Sequence, residues 1–253
     1  MRLDQSVIEE IKTKVQKKIG EIDWTQRNFK KFEKEDRSLV TEVDLYISDL
    51  LHEVAKEAGL NFFSEEDQKS LVYPCMIVDP IDGTRELAKG IGECAISLSI
   101  HSHDSEWGWI YNPFTGFEIA SDDIQQSKQA NPLAMSKLVG LVSRSEHSRG
   151  KYLIDQVDDI EILPRGSIAF KLGLLAAGAC DFVYSRTPKN IWDIKAGTLI
   201  CKERGISLYQ GSEEITLGIE KKIDGNLLWC RPEYKDSIQN SILKILEKKN
   251  AVK

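Results

Sequence analysis

Apolar residues near the N-terminus recur with the three-and-four spacing of amphipathic helices. This spacing covers residues 3–22 and, after a lysine-rich polar stretch, residues 43–58. Thr41 precedes the second segment as a suitable N-cap, and Gly59 follows it as a suitable C-terminal stop. The pattern therefore predicts two N-terminal helices, each with one buried face.

From residue 60 the pattern changes to short apolar or alternating segments, which are typical of β-strands. LNFF (60–63) and CMIV (75–78) are continuously apolar, whereas CAISLSI (94–100) alternates. WGWIY (107–111) and FEIAS (117–121) flank NPFTG, whose Asn-Pro and Thr-Gly pairs favour a turn. We expect a hairpin there and a mostly antiparallel first sheet.

The second half of the chain alternates strand-like and helix-like segments. The expected strands are LVGLVS, IEIL, DFVY, ISLYQ and NLLWC, and the expected helices lie near Tyr152, from Ser167, from Ile191 and at the C-terminus around Ile242. Alternation of this kind favours an α/β (α+β) protein in stacked layers, with a more mixed second sheet. We divide the chain into an N-terminal α+β part (1–125) and a C-terminal α/β part (126–253) within one compact unit.

Composition and charge restrict the class of protein. The 253 residues are 41% hydrophobic and 29% charged, which is typical of a soluble globular protein. A net charge of −6 without a dominant basic tract argues against a nucleic acid polymer as partner. The charged N-terminus does not fit a signal peptide, and no apolar run is long enough to span a membrane. The five cysteines form no CxxC pair, so free thiols in a cytoplasmic protein are expected.

Two acidic clusters suggest chemistry, because each follows an apolar strand directly. They are SEED (64–67) and VDPIDGT (78–84). Carboxylates that converge without a cation repel one another, and oxygen-rich ligand sets suit Mg²⁺. Plainer interpretations exist for single motifs: Asp-Pro and Asp-Gly form ordinary turns, and Asp193 beside Trp192 could serve only as a helix N-terminal charge. The histidines share no ligand-like spacing, and His101 is expected at a solvent-exposed hairpin tip.

Four separated motifs together resemble the inositol monophosphatase superfamily of Mg²⁺-dependent, lithium-sensitive phosphatases. They are LVTEVD (39–44), SEED (64–67), VDPIDGT (78–84) and IWDIKAG (191–197), in the family's order and spacing. The resemblance implies the layered α-β-α-β-α sandwich of the inositol monophosphatase and fructose-1,6-bisphosphatase type. It also implies two or three Mg²⁺ ions per site, substitution by Mn²⁺ and inhibition by Li⁺.

The same resemblance implies roles for individual residues. Asp44 and Thr84 would orient and deprotonate the attacking water, and Glu65 would support catalysis while helping to bind a third ion. Ser64 stands where the family usually has glycine, a mild departure. The implied metal ligands, including one backbone carbonyl and one supporting glutamate, are Glu65, Glu66, Asp79, Ile81, Asp82 and Asp193.

Within the superfamily, three stretches are more similar to the bacterial 3'(2'),5'-bisphosphate nucleotidases than to the inositol enzymes. They are DGTREL (82–87), VSRSEH (142–147) and residues 166–193. Arg186, seven positions before Asp193, stands where the inositol enzymes tend to place an acidic residue, and an arginine suits a second phosphate. The implied substrate-binding residues are Asp82, Gly83, Thr84, Ser143, Arg144, Ser145, Gly166, Ser167, Lys171, Arg186 and Asp193.

These stretches make a small phosphate monoester the expected partner, with 3'-phosphoadenosine 5'-phosphate as the leading substrate. An inositol-1-monophosphatase, a fructose-1,6-bisphosphatase and a catalytically silent ligand-binding module remain alternatives. Arg144 could equally form a structural ion pair, and Lys171 could lie on a solvated helix face. The loop at 34–38 would be a flap from which Asp36 could reach a metal. The resemblance is compatible with a monomer and with a homodimer.

Overall fold

A computed structural model describes residues 5–24, 29–33, 39–67, 71–123, 137–157, 159–218 and 220–247. The expected flap at 34–38, with Asp36, lies outside the described residues, and so does the expected boundary at residue 125. The division into two parts therefore stays a prediction. Within the described residues, no helix combines the length and the apolar composition needed to cross a bilayer. All five cysteines are buried and unpaired.

The described chain forms seven α-helices, one 3₁₀ turn and sixteen strands, several of them very short. The helices are α1 (Gln5–Gly20), α2 (Glu42–Glu57), α3 (Thr84–Leu87), α4 (Arg144–Ser148), α5 (Ile168–Ala176), α6 (Ile191–Lys202) and α7 (Lys235–Glu247), with the 3₁₀ turn at Pro232–Tyr234. The strands are β1 (Lys31–Glu33), β2 (Leu39–Thr41), β3 (Asn61–Ser64), β4 (Cys75–Asp82), β5 (Ala95–His101), β6 (Glu106–Tyr111), β7 (Glu118–Ala120), β8 (Leu138–Ser143), β9 (Gln156–Val157), β10 (Ile160–Arg165), β11 (Phe182–Ser185), β12 (Lys189–Asn190), β13 (Ser207–Gln210), β14 (Glu213–Glu214), β15 (Lys222–Ile223) and β16 (Leu227–Cys230).

The first large sheet has five strands in the order β3-β4-β5-β6-β7. Only the β3–β4 pair is parallel, so the sheet is mostly antiparallel, as the sequence predicted. Strands β6 and β7 form the expected hairpin, with Tyr111 opposite Glu118.

The second large sheet has seven strands in the order β14-β13-β16-β11-β8-β10-β9. Its centre is parallel, because β8 pairs in parallel with both β10 and β11. The flanking pairs are antiparallel, which makes this sheet mixed, in agreement with the prediction.

Three hydrophobic clusters stack these elements into five layers. The first packs α1 and α2 against one face of the five-stranded sheet. The second places α5 and α6 between the two sheets. The third packs α7 against the outer face of the seven-stranded sheet. The α-β-α-β-α sandwich expected from the resemblance is therefore confirmed, and each sheet face is covered because strands with two apolar faces must be buried on both sides.

Three local expectations were wrong. Strand β4 does not end before Asp79 but continues to Asp82, with a register shift against β5 between these two residues. Pro80 cannot donate a hydrogen bond to a ladder, so a bulge is its natural position within a sheet. His101 is buried rather than solvated, because its ring nitrogens contact Ser99 and Glu106. The short helix expected near Tyr152 forms earlier, as α4.

Helix α6 approaches its neighbours closely, and two glycines make this approach possible. A Cβ atom at Gly108 of β6 would lie 2.8 Å from the carbonyl oxygen of Ala196 in α6. A Cβ atom at Gly197 of α6 would lie 2.6 Å from Cβ of Leu172 in α5. The position of α6 between the sheets therefore depends on the absence of side chains at these points.

We predict that Gly108→Ala lowers the free energy of unfolding by about 1–3 kcal/mol, because a rigid backbone atom blocks the added methyl group. Urea denaturation measures this change. Gly20→Ala is the matched control, since nothing lies within 4 Å of its added Cβ. If the two variants are equally stable, α6 moves away from the added methyl group without loss of unfolding free energy, which would contradict this prediction.

Candidate active site

The N-terminus of α2 fixes one carboxylate. Asp44 Oδ2 accepts hydrogen bonds from the backbone nitrogen and the hydroxyl of Thr41, the first of them at 2.9 Å. Its Oδ1 accepts the hydroxyl hydrogen of Thr84 at 2.8 Å. Burial raises the pKa of Asp44, although the hydrogen bonds from Thr41 and Thr84 oppose this shift. Asp44 and Thr84, 40 residues apart in the chain, thus form the pair that the sequence suggested.

The end of β4 fixes two more carboxylates. Asp79 is only 2% exposed, and its Oδ1 accepts the backbone nitrogen of Ile81 at 3.0 Å. Asp82 Oδ2 accepts the hydroxyl of Ser167 at 2.7 Å and the backbone nitrogen of Ala169 at 2.6 Å. Asp82 therefore joins the end of β4 to the first turn of α5, where Ser167 is the N-cap.

Helix α6 contributes the most distant acid in the sequence. Asp193 lies in its first turn, where Oδ2 accepts the backbone nitrogen of Asn190 at 3.1 Å. Burial, and next the charge of Asp82, raise the pKa of Asp193 despite this hydrogen bond. The plainer interpretation of Asp193, as a charge at the N-terminus of a helix, is thus correct. The same carboxylate also belongs to the acidic cluster.

The acids repel one another strongly. Burial raises the pKa of Asp79 well above its ordinary value, and the charges of Glu65, Asp82 and Asp193 raise it further. Glu66 lies farther along the same edge, where its charge acts on Asp44. Such a cluster is costly unless its members are protonated or a cation neutralises them.

The turn that carries Glu65 and Glu66 is closed by Ser64. The backbone nitrogen of Ser64 donates to the carbonyl oxygen of Asp67 at 3.0 Å, and its hydroxyl accepts the Asp67 nitrogen at 2.9 Å. Ser64 is fully buried. The serine therefore stabilises the acidic turn at the position where glycine was expected.

The donor set suits a hard cation, since all its members offer carboxylate or carbonyl oxygens. Asp79, Asp82 and Asp193 each use one oxygen for the hydrogen bonds above and retain a second. Among the residues that the structure describes, no three His, Cys, Asp or Glu side chains already surround one metal position. Binding of an ion would offset the repulsion between these carboxylates. The proposed roles of Glu65, Glu66, Asp79, Ile81, Asp82 and Asp193 as ligands stay predictions.

Three of these acids, Glu65, Asp82 and Asp193, line a cleft with a volume of about 270 Å³. Asp44, Glu66, Asp79 and Ile81 lie outside its lining, and Thr84 contacts both Asp44 and the carbonyl oxygen of Ile81. The predicted site residues that line the cleft are Glu65, Asp82, Gly83, Thr84, Ser143, Arg144, Ser145, Gly166, Ser167, Lys171 and Asp193. Eleven positions from five separate segments thus share one cleft.

Lys171 does not lie on a solvated helix face. It is 3% exposed, and its ammonium group donates to the carbonyl oxygens of Arg165, Gly166 and Ser167 at 3.0–3.5 Å. Burial lowers its pKa to about 8, although the charge of Asp82 opposes this shift. Because three acceptors already surround the ammonium group, Lys171 shapes the 165–167 loop beneath the cleft.

The structure does not bring Arg186 to the cleft. Its Nη1 donates to the carbonyl oxygen of Lys151 at 2.6 Å, and its backbone nitrogen donates to Glu146. Glu146 is buried and also accepts the nitrogen and hydroxyl of Thr187, at 2.8 and 2.6 Å. This contact fixes the loop before α6 so that Lys189, rather than Arg186, lines the cleft.

Several cleft residues were missed at the sequence level. Arg85, Arg165 and Lys189 add positive charge, and Tyr184 and Ser185 add hydroxyl groups. Arg165 and Ser185 are the last residues of β10 and β11. For Arg165 and Ser185, the available signal was a polar residue at the end of a strand. For Lys189 the sequence offered no signal, because the position of its loop depends on the contact of Glu146 with Arg186 and Thr187.

The chain is similar to known proteins both in sequence and in fold. A sequence model of the inositol monophosphatase family matches residues 4–226. A fructose-1,6-bisphosphatase from Pyrococcus furiosus is 32% identical over 173 residues. The match covers 64% of this chain and 66% of that protein, so the chain spans just under two thirds of the length of this relative. A 3'(2'),5'-bisphosphate nucleotidase CysQ from Aggregatibacter actinomycetemcomitans is 25% identical over 200 residues, covering 68% and 72%. The solved structure of an inositol monophosphatase from Thermotoga maritima superposes with a TM-score of 0.70 at 22% identity, covering 98% of both chains.

We predict that Asp79→Asn raises the unfolding free energy of the protein in EDTA, because burial and the charges of Glu65 and Asp82 disfavour the ionised carboxylate. The amide keeps an acceptor for the Ile81 nitrogen and removes the repulsion. Addition of Mg²⁺ should then stabilise the original protein but not the variant, and turnover should be abolished. Thermal denaturation and phosphate release measure these effects.

Glu53→Gln, at an exposed position of α2, removes one negative charge away from the cluster and serves as control. It should change neither the stability in EDTA nor the response to Mg²⁺. An active Asp79→Asn variant would exclude the proposed metal ligation.

Proposed function

The chain belongs to the inositol monophosphatase family, a family of phosphatases, and we propose that it is a Mg²⁺-dependent 3'(2'),5'-bisphosphate nucleotidase. The leading substrate is 3'-phosphoadenosine 5'-phosphate. The observation that carries this proposal is a cleft lined both by carboxylates and by cationic side chains. Glu65, Asp82 and Asp193 form its acidic end, Arg144 and Arg165, which share Glu93, form what we call its cationic end, and Lys189 lies near Asp193.

A substrate with two anionic groups fits this division. One phosphate would lie at the acidic end, where metal ions offset the charge of both the carboxylates and the ester. The other would lie near the guanidinium groups, which match phosphate oxygens in a planar, bidentate geometry. An ester with a single phosphate leaves the cationic end without a counter-charge.

Magnesium, when bound by the acidic cluster, neutralises the phosphoryl oxygens and lowers the pKa of a bound water. The protein's own contribution is the handling of the proton. Since the Thr84 hydroxyl donates its hydrogen to Asp44 Oδ1, its oxygen lone pairs face away from that bond and can accept a hydrogen from water. A proton that leaves the water at Thr84 Oγ1 can thus pass to Asp44, whose pKa is raised by burial.

Fructose 1,6-bisphosphate is the second candidate substrate. The Pyrococcus relative, named a fructose-1,6-bisphosphatase, is 32% identical to this chain, more than the nucleotidase. This sugar also carries two phosphates, so the two-ended cleft supports it as well. Inositol 1-phosphate has no second anion for the cationic end. The intact Asp44–Thr84 pair argues against a catalytically silent module.

We predict that the protein releases phosphate from 3'-phosphoadenosine 5'-phosphate with a kcat/KM about tenfold or more above that for inositol 1-phosphate, because a hydrogen bond to a charged group contributes about 1.5–3 kcal/mol. Steady-state assays with these two esters and fructose 1,6-bisphosphate, each with Mg²⁺ and with EDTA, make the comparison. Preference for fructose 1,6-bisphosphate would select the second candidate. Preference for inositol 1-phosphate would refute the role of the cationic end.

We predict that Thr84→Ala lowers kcat by about 10²–10⁴-fold, the usual contribution of proton transfer by a positioned group. Asp44→Asn should have a similar effect, and the double variant should be little worse, because the two residues act as a unit. Thr84→Ser keeps the hydroxyl group and is the control. Additive losses in the double variant would mean that the residues act separately.

A further inference from the structure

Three donors at the cationic end converge on one carboxylate, that of Glu93. Arg144 Nη2 and the backbone nitrogen of Gly166 both donate to Glu93 Oε2, the latter at 2.7 Å. Arg165 Nε lies 3.7 Å from Glu93 Oε1. All three donor residues line the cleft, whereas Glu93 is not part of the lining. Glu93 therefore holds these groups from behind.

The charges in this group are unequal. Burial disfavours the ionised form of Glu93, but the hydrogen bonds from Arg144 and Gly166 outweigh this effect and lower its pKa, so the carboxylate is ionised at neutral pH. One negative charge then faces two guanidinium groups. Arg144 Nε is also buried and finds no acceptor within the described part of the chain. The unit of Glu93, Arg144 and Arg165 retains one net positive charge and an unused donor, and the carboxylate of Glu86, which also lines the cleft, lies near Arg144 and partly offsets this charge.

We propose that Glu93 is a positioning residue that sets the charge of the cationic end, and so determines how strongly the cleft prefers esters with a second phosphate. This inference rests on the proposed function, because a second phosphate is the group that Arg144 and Arg165 would meet. Glu93 does not touch the substrate. It acts through the two arginines and the Gly166 nitrogen.

Electrostatics gives the direction of the effect. Loss of the Glu93 charge raises the net charge of the unit from one to two, which strengthens attraction for a dianionic phosphate. At an effective dielectric constant of about 20, the charge of a carboxylate still acts on an anion bound by the same arginines. A gain of about tenfold or more in affinity for the second phosphate is therefore expected, and salt should reduce it.

Two substitutions separate charge from shape. Glu93→Gln keeps the length of the side chain and one acceptor oxygen, but removes the charge. Glu93→Asp keeps the charge and shortens the side chain. A purely structural role predicts that the aspartate variant is the more damaged and that both substrates suffer equally. The charge-setting role predicts that only Glu93→Gln changes the preference.

The experiment compares kcat/KM for 3'-phosphoadenosine 5'-phosphate and for adenosine 3'-monophosphate, which differ only in the second phosphate. The ratio should rise about tenfold in Glu93→Gln, mainly through a lower KM for the bisphosphate, and should fall back at high ionic strength. In Glu93→Asp it should stay close to that of the original protein. If fructose 1,6-bisphosphate is the better substrate, it is compared with fructose 1-phosphate instead.

A binding measurement makes the inference independent of turnover. Calorimetric titration with inorganic sulfate in EDTA should show about tenfold tighter binding to Glu93→Gln, and Arg165→Met in that background should remove the gain. Tighter sulfate binding without hydrolysis of any bisphosphate would support the role of Glu93 and refute the proposed function. Unchanged ratios and unchanged sulfate binding in a protein that hydrolyses bisphosphates would refute the role of Glu93 alone.

Discussion

The repulsion between buried carboxylates is the constraint on which the rest of the site depends. Asp79 is buried within reach of the charges of Glu65, Asp82 and Asp193, and its pKa rises accordingly. A chain of ordinary stability can hold such a cluster only if each acid is fixed by donors that prevent its escape to solvent. The architecture supplies those donors from backbone nitrogens.

Three of the acids are held in the same way, at the beginning of a helix. Asp44 accepts the Thr41 nitrogen at α2, Asp82 accepts the Ala169 nitrogen at α5, and Asp193 accepts the Asn190 nitrogen at α6. A helix N-terminus carries a partial positive charge and unpaired N–H groups, so it stabilises an anion both by electrostatic attraction and by hydrogen bonds. The N-termini of three helices thus lie close together and each fixes one carboxylate, and Asp82 and Asp193 each keep a second oxygen that can face a cation.

The acidic end of the cleft could be predicted from the sequence because its residues lie in short, contiguous motifs after strands or at helix starts. The roles of Asp44, Asp82 and Asp193 depend on local geometry that such motifs encode. The cationic end could be predicted only in part, because Arg144 was expected in the cleft and lines it, whereas Arg165 was not expected there. Arg186 was expected there, yet its direction is set by Lys151 and by Glu146, 40 residues earlier in the chain. The burial of His101 was missed for a different reason, because His101 lies within β5, directly opposite Glu106 of β6, and not at the turn between these strands.

The direction of the cationic side chains in the cleft depends on residues that do not line it. Lys189 and the two arginines reach the cleft, but two glutamates outside its lining decide their direction. Buried Glu146 fixes the loop of Lys189, and partly exposed Glu93 holds Arg144 with Arg165. A substitution at either glutamate would change the cationic end and leave the acidic motifs intact. On the proposed function, the groups that would activate water and those that would recognise the ester depend largely on different contacts, so the same acidic motifs could serve different phosphate esters through residues that do not touch the substrate.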